Sequence, residues 1–209
     1  MSVKPYTTEG SKKEQVERMF DAISPKYDLL NRVFSMGTDQ AWRRRVMRLV
    51  AQEPVRHLLD VATGTADLAL MAAKQVDHVT GVDISGGMLA FGREKVAKAH
   101  LADRVQLVQG DAADLPFAEA TFDAVTVAFG VRNFEDLERG VRGMIRVLKP
   151  GGRLFVLEFS RPKGVMRPLF RFYFHRLMPL LGRAISKDHA AYSYLPASVE
   201  AFPEGRAFE

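Results

Sequence analysis

The sequence predicts an alternating α/β fold: a parallel sheet with helices on both faces. Three observations carry that expectation. Beyond Pro54, short apolar runs rich in Val, Leu and Phe recur, too continuous for strands with one wetted face. Stretches with helical spacing separate them. Strand alternating with helix then demands right-handed crossovers, and in such sheets the ligand sits outside the carboxyl ends of the strands, near the switch in strand order.

The elements follow in order. After a polar leader, Ser11 to Leu30 has helical spacing, with Val16, Met19, Phe20 and Ile23 on one stripe and Pro25 interrupting it. A second helix is expected from Asp39, a good N-cap residue, to Ala51. The runs "HLLDVA", "HVTGVDIS", "RVQLVQGD", "FDAVTVAFG" and "RLFVLEFS" are the expected strands. Ala66–Lys74, Gly87–His100 and Phe134–Leu148 are the helices between them, the last stopped by "KPGG". Residues 1–54 are read as a helical lid segment and 55–209 as the sheet-bearing part of one domain. The loops after Val61, Val82, Val108, Val127 and Leu157 should carry the chemistry.

Composition narrows the partners. The 209 residues, 47% of them hydrophobic, suffice for one core. The formal charge of +5 permits contact with anionic surfaces without requiring it. Cysteine is absent, which excludes disulfides, thiolate metal sites and a cysteine nucleophile, and no metal site is expected. The N-terminus lacks the apolar core of a signal peptide, and no uncharged apolar run reaches the roughly 18 to 20 residues of a membrane span. A cytoplasmic protein, with contact at the inner face of the membrane, is expected.

The loop in "LLDVATGTADL" keeps Gly64 but has Ala62 and Ala66 where a dinucleotide fingerprint wants glycine. Asp83 ends the second strand, where a carboxylate can accept from a ribose diol, and Asp111 with the backbone of Ala112 ends the third, where an adenine edge can be read. NAD and S-adenosylmethionine both suit such a pair, and charge separates them. A pyrophosphate is repelled by an acid at the loop mouth, whereas a sulfonium and an ammonium are attracted by one. Asp60 alone could be a mere cap of the turn. With Asp83 and Asp111 at successive strand ends, it favours S-adenosylmethionine.

The chain resembles the class I S-adenosylmethionine-dependent methyltransferases, and among them the quinone-biosynthesis C-methyltransferases acting on demethylmenaquinone and the ubiquinone precursor. "FDAISPKYDLLNRVFSMGTDQAWRR", "LLDVATGTAD", "VTGVDISGGMLAFGREK", "GDAADLPF", "FGVRNFED", "RVLKPGGRLFVLEFSRP" and "AYSYLPASV" follow the family pattern in order. "YDLLN" with "FGVRN" is its most particular part. The resemblance implies a Rossmann-like fold with strand order 3-2-1-4-5, N-terminal helices and S-adenosyl-L-methionine as cofactor. It assigns Thr65, Asp83, Asp111 and Ala112 to the cofactor, beside Asp60 and Gly64, and Tyr27, Asn31, Arg132 and Asn133 to the substrate and its chemistry. Ala128 falls where some relatives carry Ser. The family's closing helix and strand pair, one strand antiparallel, would lie beyond "FPEGRAFE" and is missing here, so the fifth strand is expected as an edge.

Methylating a ring carbon of a hydroquinone requires that an adjacent hydroxyl be deprotonated or polarised. Arg132 is the expected cation for the oxyanion. A water held by Arg132, Asn133 and Tyr27 is the expected proton outlet, with His175 as rival base. The prenyl tail of the substrate needs an apolar groove or membrane contact. "PLFRFYFHRLMPLLGRAIS" offers an amphipathic face with Phe170, Phe174, Leu177 and Leu181, and Arg43, Arg44, Arg45 and Arg48 near Trp42 offer a second site for anionic lipid. A homodimer is a further possible partner state. No nucleic acid is expected: there is no separate binding module, and "FGVRN" lacks the polar-Pro-Pro-aromatic run of base N-methyltransferases. A methyltransferase for another small molecule or RNA, and a non-enzymatic protein on the same fold, are the alternatives.

Overall fold

Five parallel strands form the sheet of the computed structural model, which describes residues 3–160, 164, 189–203, 205 and 208. They are β1 (His57–Val61), β2 (His78–Asp83), β3 (Val105–Gln109), β4 (Phe122–Ala128) and β5 (Leu148–Leu157). Their order is β3-β2-β1-β4-β5, as expected, and each neighbouring pair is parallel. The chain leaves β1 toward β2 on one side and reaches β4 on the other, so the loops diverge there and open a crevice. Among the described residues β5 pairs only with β4 and forms an edge.

The helices of this layer are α3 (Thr38–Val50), α4 (Asp67–Ala72), α5 (Gly86–Lys98) and α6 (Leu137–Val147). Adjacent residues Leu58 and Leu59 point to opposite faces and are both wholly buried, which is why the strand sequence is apolar without alternation. Leu58, Val79 and Ala124 pack with Met47 of α3, Ala69 of α4 and Val96 of α5. Leu59, Val82 and Val125 pack with Met144 and Val147 of α6 on the other face. Each such Val, Leu or Met contributes roughly 1.5–3 kcal/mol.

Three element boundaries differ from the expectation. The strand expected from Arg153 begins at Leu148: its register passes from Phe122↔Leu148 to Ala124↔Arg153, and Lys149–Gly152 bulge out between them, with Gly151 at φ +80°. "KPGG" therefore ends a helix and kinks a strand at once. α6 begins at Leu137 because the Asp136 side chain accepts from the Arg139 N–H, while Val131–Asn133 form a separate 3-10 turn. Asp39 is not an N-cap. Gly37, at φ +76°, holds that position, and the Asp39 side chain is buried inside the first turn of α3, accepting from Arg43 and from the Ser35 hydroxyl.

α1 (Lys12–Ile23), a 3-10 turn (Ser24–Lys26) around Pro25, and α2 (Tyr27–Ser35) cover the strand ends. A capping box between Ser11 and Glu14 starts α1. Its stripe Val16, Met19 and Ile23 packs with Leu30 of α2 and with Ala191 and Tyr194 of α7 (His189–Ala201). Polar bonds fasten this layer down. The Asp21 carboxylate accepts from the Ser85 hydroxyl and the Gly87 N–H, and the Lys12 ammonium donates to the carbonyls of Arg132 and Phe134. The amphipathic stretch expected around Phe170–Leu181, and His175 within it, lie outside the described residues.

Candidate active site

The loop from β1 to α4 has the backbone of a glycine-rich turn without its glycines. Ala62, Gly64 and Ala66 stand at φ +53°, +57° and +66°. For alanine this left-handed conformation costs roughly 1–2 kcal/mol per residue, and packing around the loop must supply it. The loop floor is tight as well: a Cβ on Gly130, after β4, would come within 2.5 Å of the Ala62 Cβ. The loop therefore lies flat against the end of β4.

Above this floor is a cavity of about 360 Å³, whose walls include Gly64, Asp83, Asp111, Ala112, Phe134 and Lys13. Asp83 accepts from the Gly64 N–H at 2.8 Å and the Ser85 N–H at 2.9 Å. Burial pushes its carboxyl up to about 6 against these two hydrogen bonds. A carboxylate offers about four acceptor positions, and these bonds with a further one from the Ile84 N–H do not exhaust them, so capacity remains for a ribose hydroxyl. Burial acts to raise Asp111 too, but the Lys13 ion pair at 2.8 Å and the Ala113 N–H hold it below the usual carboxylate range. Asp114, Glu135 and Asp136 add further acids to the walls, against the cations Lys13 and Arg139. An anionic pyrophosphate is disfavoured in such a cavity, and a phosphate-free cation fits it.

Two of the residues expected at the cofactor lie behind the wall. Asp60, 1% exposed, accepts from the hydroxyls of Thr63 at 2.7 Å and Thr126 at 2.8 Å, and burial pushes it up to about 6. It acts on the cavity through its field and by holding the loop. Thr65 is equally buried. Its hydroxyl donates to Asp28 of α2 at 2.5 Å and accepts from the Lys95 ammonium at 3.1 Å. Lys95 also pairs with Asp28 and with Asp67, which turns away from the cavity. Thr65 thus ties the covering helix α2 to the loop.

A second cavity, about 570 Å³, lies on the other side of Tyr27, Phe20, Phe129 and Asn133, which line both. Met19, Ile23, Leu30, Phe34, Trp42 and Phe159 make it largely apolar. Its polar end gathers the residues expected for the chemistry. Tyr27, its phenol pushed up by burial, is hydrogen-bonded with Asn31. Arg132 is not a free cation: it forms a buried ion pair with Glu158 at 2.8 Å and donates to the Phe129 carbonyl. Arg132 Nε, Asn133 Oδ1 and the Tyr194 hydroxyl are buried without a partner among the described residues. Ala128 lines the first cavity and offers no hydroxyl. Arg43 is buried against Asp39 and cannot grip an external phosphate, whereas Arg44, Arg45 and Arg48 are exposed.

Glu158 and Tyr194 were not singled out by the sequence reading. Glu158 directly follows β5, at the head of the loop after Leu157, but nothing local in the sequence says that it pairs with Arg132. Tyr194 has no local signal, since its place depends on how α7 packs onto α1 and α2. The described residues contain no cluster of potential metal ligands.

The model of the ubiE/COQ5 methyltransferase family matches residues 8–209. The demethylmenaquinone methyltransferase of Bacteroides fragilis is 45% identical, over 99% of this chain and 86% of its own length. That of Thermus thermophilus is 48% identical, over 91% of this chain and 87% of its own. Among solved structures, the YcgJ protein of Bacillus subtilis superposes with a TM-score of 0.57 at 25% identity, covering 66% of this chain and 59% of that one. With strand-end acids around one cavity and an apolar cavity beside it, on a sheet ordered as in class I methyltransferases, the chain belongs to the ubiE/COQ5 methyltransferase family.

Proposed function

We propose that this enzyme transfers the methyl group of S-adenosylmethionine to a ring carbon of demethylmenaquinol, yielding menaquinol. The methyl donor is S-adenosylmethionine, which supplies an electrophilic methyl group on a sulfonium. The observation that carries the acceptor is the pair of cavities meeting at Tyr27, Phe129 and Asn133: an acidic one suited to a cationic donor, and a larger apolar one with a polar end suited to a prenylated ring. The names of the relatives from Bacteroides fragilis and Thermus thermophilus point to the same acceptor.

The residues divide the work accordingly. Asp83 accepts from the ribose diol of the donor, Asp111 and the Ala112 backbone read its adenine, and Gly64 lets the loop approach it. Tyr27, Asn31 and Asn133 orient the ring at the junction, and Arg132 stabilises the developing oxyanion. In-line transfer between two anchored groups is then chiefly positioning and exclusion of water.

Membrane contact fits the acceptor's tail. Leu29, Val33, Met36 and Trp42 are exposed on α2 and α3, Met36 and Trp42 at the edge of the acceptor cavity, with exposed Arg32, Arg44, Arg45 and Arg48 on the same helices. No helix among the described residues is long and apolar enough to cross a membrane. Docking of this face on anionic lipid is expected to deliver the acceptor, and co-sedimentation with anionic but not zwitterionic vesicles checks it.

Incubation with methyl-labelled S-adenosylmethionine and demethylmenaquinol, the demethylated ubiquinone precursor or RNA tests the function. Label is expected in demethylmenaquinol. Preferential label in the ubiquinone precursor would select the other acceptor, which the name of a 45% identical relative from Geotalea daltonii includes, and label in RNA would overturn the reading.

A further inference from the structure

We infer that Glu158 is the catalytic base of the acceptor cavity and that Tyr194 donates a hydrogen bond to the acceptor's oxygen. This rests on the reading that the acceptor is a hydroquinone. The reaction needs a group that takes the hydroxyl proton, and among the described residues the titratable side chains lining the cavity are Tyr27, Asp39, Arg132, Glu158 and Tyr194. Arg132 stays protonated. Burial pushes both phenols up, Tyr194 to about 12, so they donate rather than accept protons. Asp39 is held more fully than Glu158, since both of its oxygens are bonded at 3.2 Å or less, one accepting from Ser35 and the other from Arg43 and Gln40.

Glu158 remains. Its Oε1 accepts from Arg132 at 2.8 Å and from the Phe159 N–H at 2.9 Å, but Oε2 has only a long contact of 3.5 Å with the Arg132 N–H. Oε2 therefore keeps lone pairs for a ligand. The carboxylate is 6% exposed, so a proton moved to it does not meet bulk water. Two donors and one acceptor in the same cavity wall have no partner among the described residues: Arg132 Nε, the Tyr194 hydroxyl and Asn133 Oδ1. Orphaned buried polar atoms cost free energy unless a ligand meets them. A hydroquinone meets all three: its ionising oxygen accepts from Arg132 Nε and Tyr194, and a hydroxyl donates to Asn133 Oδ1.

Glu158 Oε2 takes the hydroxyl proton, and the O–H electron pair stays on oxygen and is drawn into the ring. The adjacent ring carbon forms a bond to the methyl group as the carbon–sulfur bond breaks, its electron pair going to sulfur. That ring carbon then loses its hydrogen as a proton to water, while Glu158 returns its own proton to the oxygen. The products are the methylated hydroquinone, a neutral thioether and one released proton; no oxidant or reductant is needed.

Among the described residues, the charged and titratable groups on the elements around Glu158 are Arg132, Tyr194 of α7, Tyr27 of α2, Asp39 and Arg43 of α3, and Lys12 of α1, whose ammonium binds the Arg132 carbonyl. Glu158→Gln keeps the shape and the bond from Arg132 but cannot take a proton. It is expected to lower kcat roughly 10²–10⁴-fold, the ordinary worth of a general base, with the acceptor KM within about threefold of wild type. Glu158→Asp should recover part of kcat by restoring a carboxylate. Tyr194→Phe should lower kcat at least tenfold and leave S-adenosylhomocysteine binding unchanged. Should Glu158→Gln fail to fold, the split between kcat and KM in Glu158→Asp still decides. A folded Glu158→Gln enzyme with kcat within threefold of wild type, or one that loses only acceptor affinity, overturns the assignment of Glu158. A wild-type enzyme that methylates no hydroquinone overturns the functional reading and the assignment with it.

Discussion

The backbone N–H of Gly64 donates to the Asp83 carboxylate at 2.8 Å, joining the loop after β1 to the end of β2. One bond thereby fixes both the loop that approaches the donor and the carboxylate that accepts from its ribose. Asp83→Ala should weaken S-adenosylhomocysteine binding about 10- to 100-fold, as expected for charge-assisted hydrogen bonds of about 1.5–3 kcal/mol. Calorimetric titration measures it, and affinity within about twofold of wild type would remove Asp83 from the donor site. Since burial pushes this carboxyl up to about 6, wild-type affinity should fall as pH drops through 6, and this fall should vanish in Asp83→Asn.

Asp60 should reveal itself in stability against pH. Its folded value, up to about 6, exceeds the roughly 3.9 of a free aspartate. The folded chain thus binds this proton more tightly than the unfolded chain, and stability falls as pH rises from about 4 to about 6, then levels off. Asp60→Asn removes the buried charge, and Thr126, whose hydroxyl also reaches the Leu59 carbonyl, can turn to accept from the amide. Chemical denaturation should show the variant gaining about 2 kcal/mol relative to wild type at pH 8 compared with pH 4.5. A difference that does not change between those two pH values would contradict the burial effect.

Lys95 should act on the covering helix rather than on the chemistry. Its ammonium bridges Asp28 of α2, Asp67 of α4 and the Thr65 hydroxyl. In Lys95→Met two partly buried carboxylates lose their cation, which should cost about 1–3 kcal/mol. Amide hydrogen exchange should rise across α2, and KM for the donor should rise more than kcat falls. Unchanged exchange in α2 would mean that packing alone holds this helix.

The acceptor cavity should respond to volume. Ala191 is buried in its wall. Ala191→Phe is expected to raise KM about tenfold for a long-tailed hydroquinone, by an order-of-magnitude reading of lost apolar burial and overpacking. Donor affinity should stay the same. An equal rise for a tail-less ring analogue would shift the role of Ala191 from the tail to the headgroup.

The sequence by itself determined a parallel sheet and the acids at its strand ends, while the strand order came with the resemblance to the methyltransferase family. Continuous apolar runs such as "HLLDV" bury on both faces only in a parallel sheet flanked by helices, and an acid at the end of such a run stays at the strand terminus whatever surrounds it. Asp83 and Asp111 were legible for that reason, and so was the interruption of the first helix at Pro25, where a local rule suffices. Tertiary structure decided which of these acids meet the cavity. Asp60 lies inside the end of β1 and Thr65 in the loop of Gly64, yet both are held behind the cavity wall by partners distant in sequence, Thr126 for one and Asp28 for the other. Tertiary structure also decided the polar end of the acceptor cavity. Glu158 pairs with Arg132 across 26 residues of sequence, and Tyr194 arrives from α7. Local periodicity fixes which side of an element is apolar. Which buried donors and acceptors are left without partners is fixed only when distant elements close on one another.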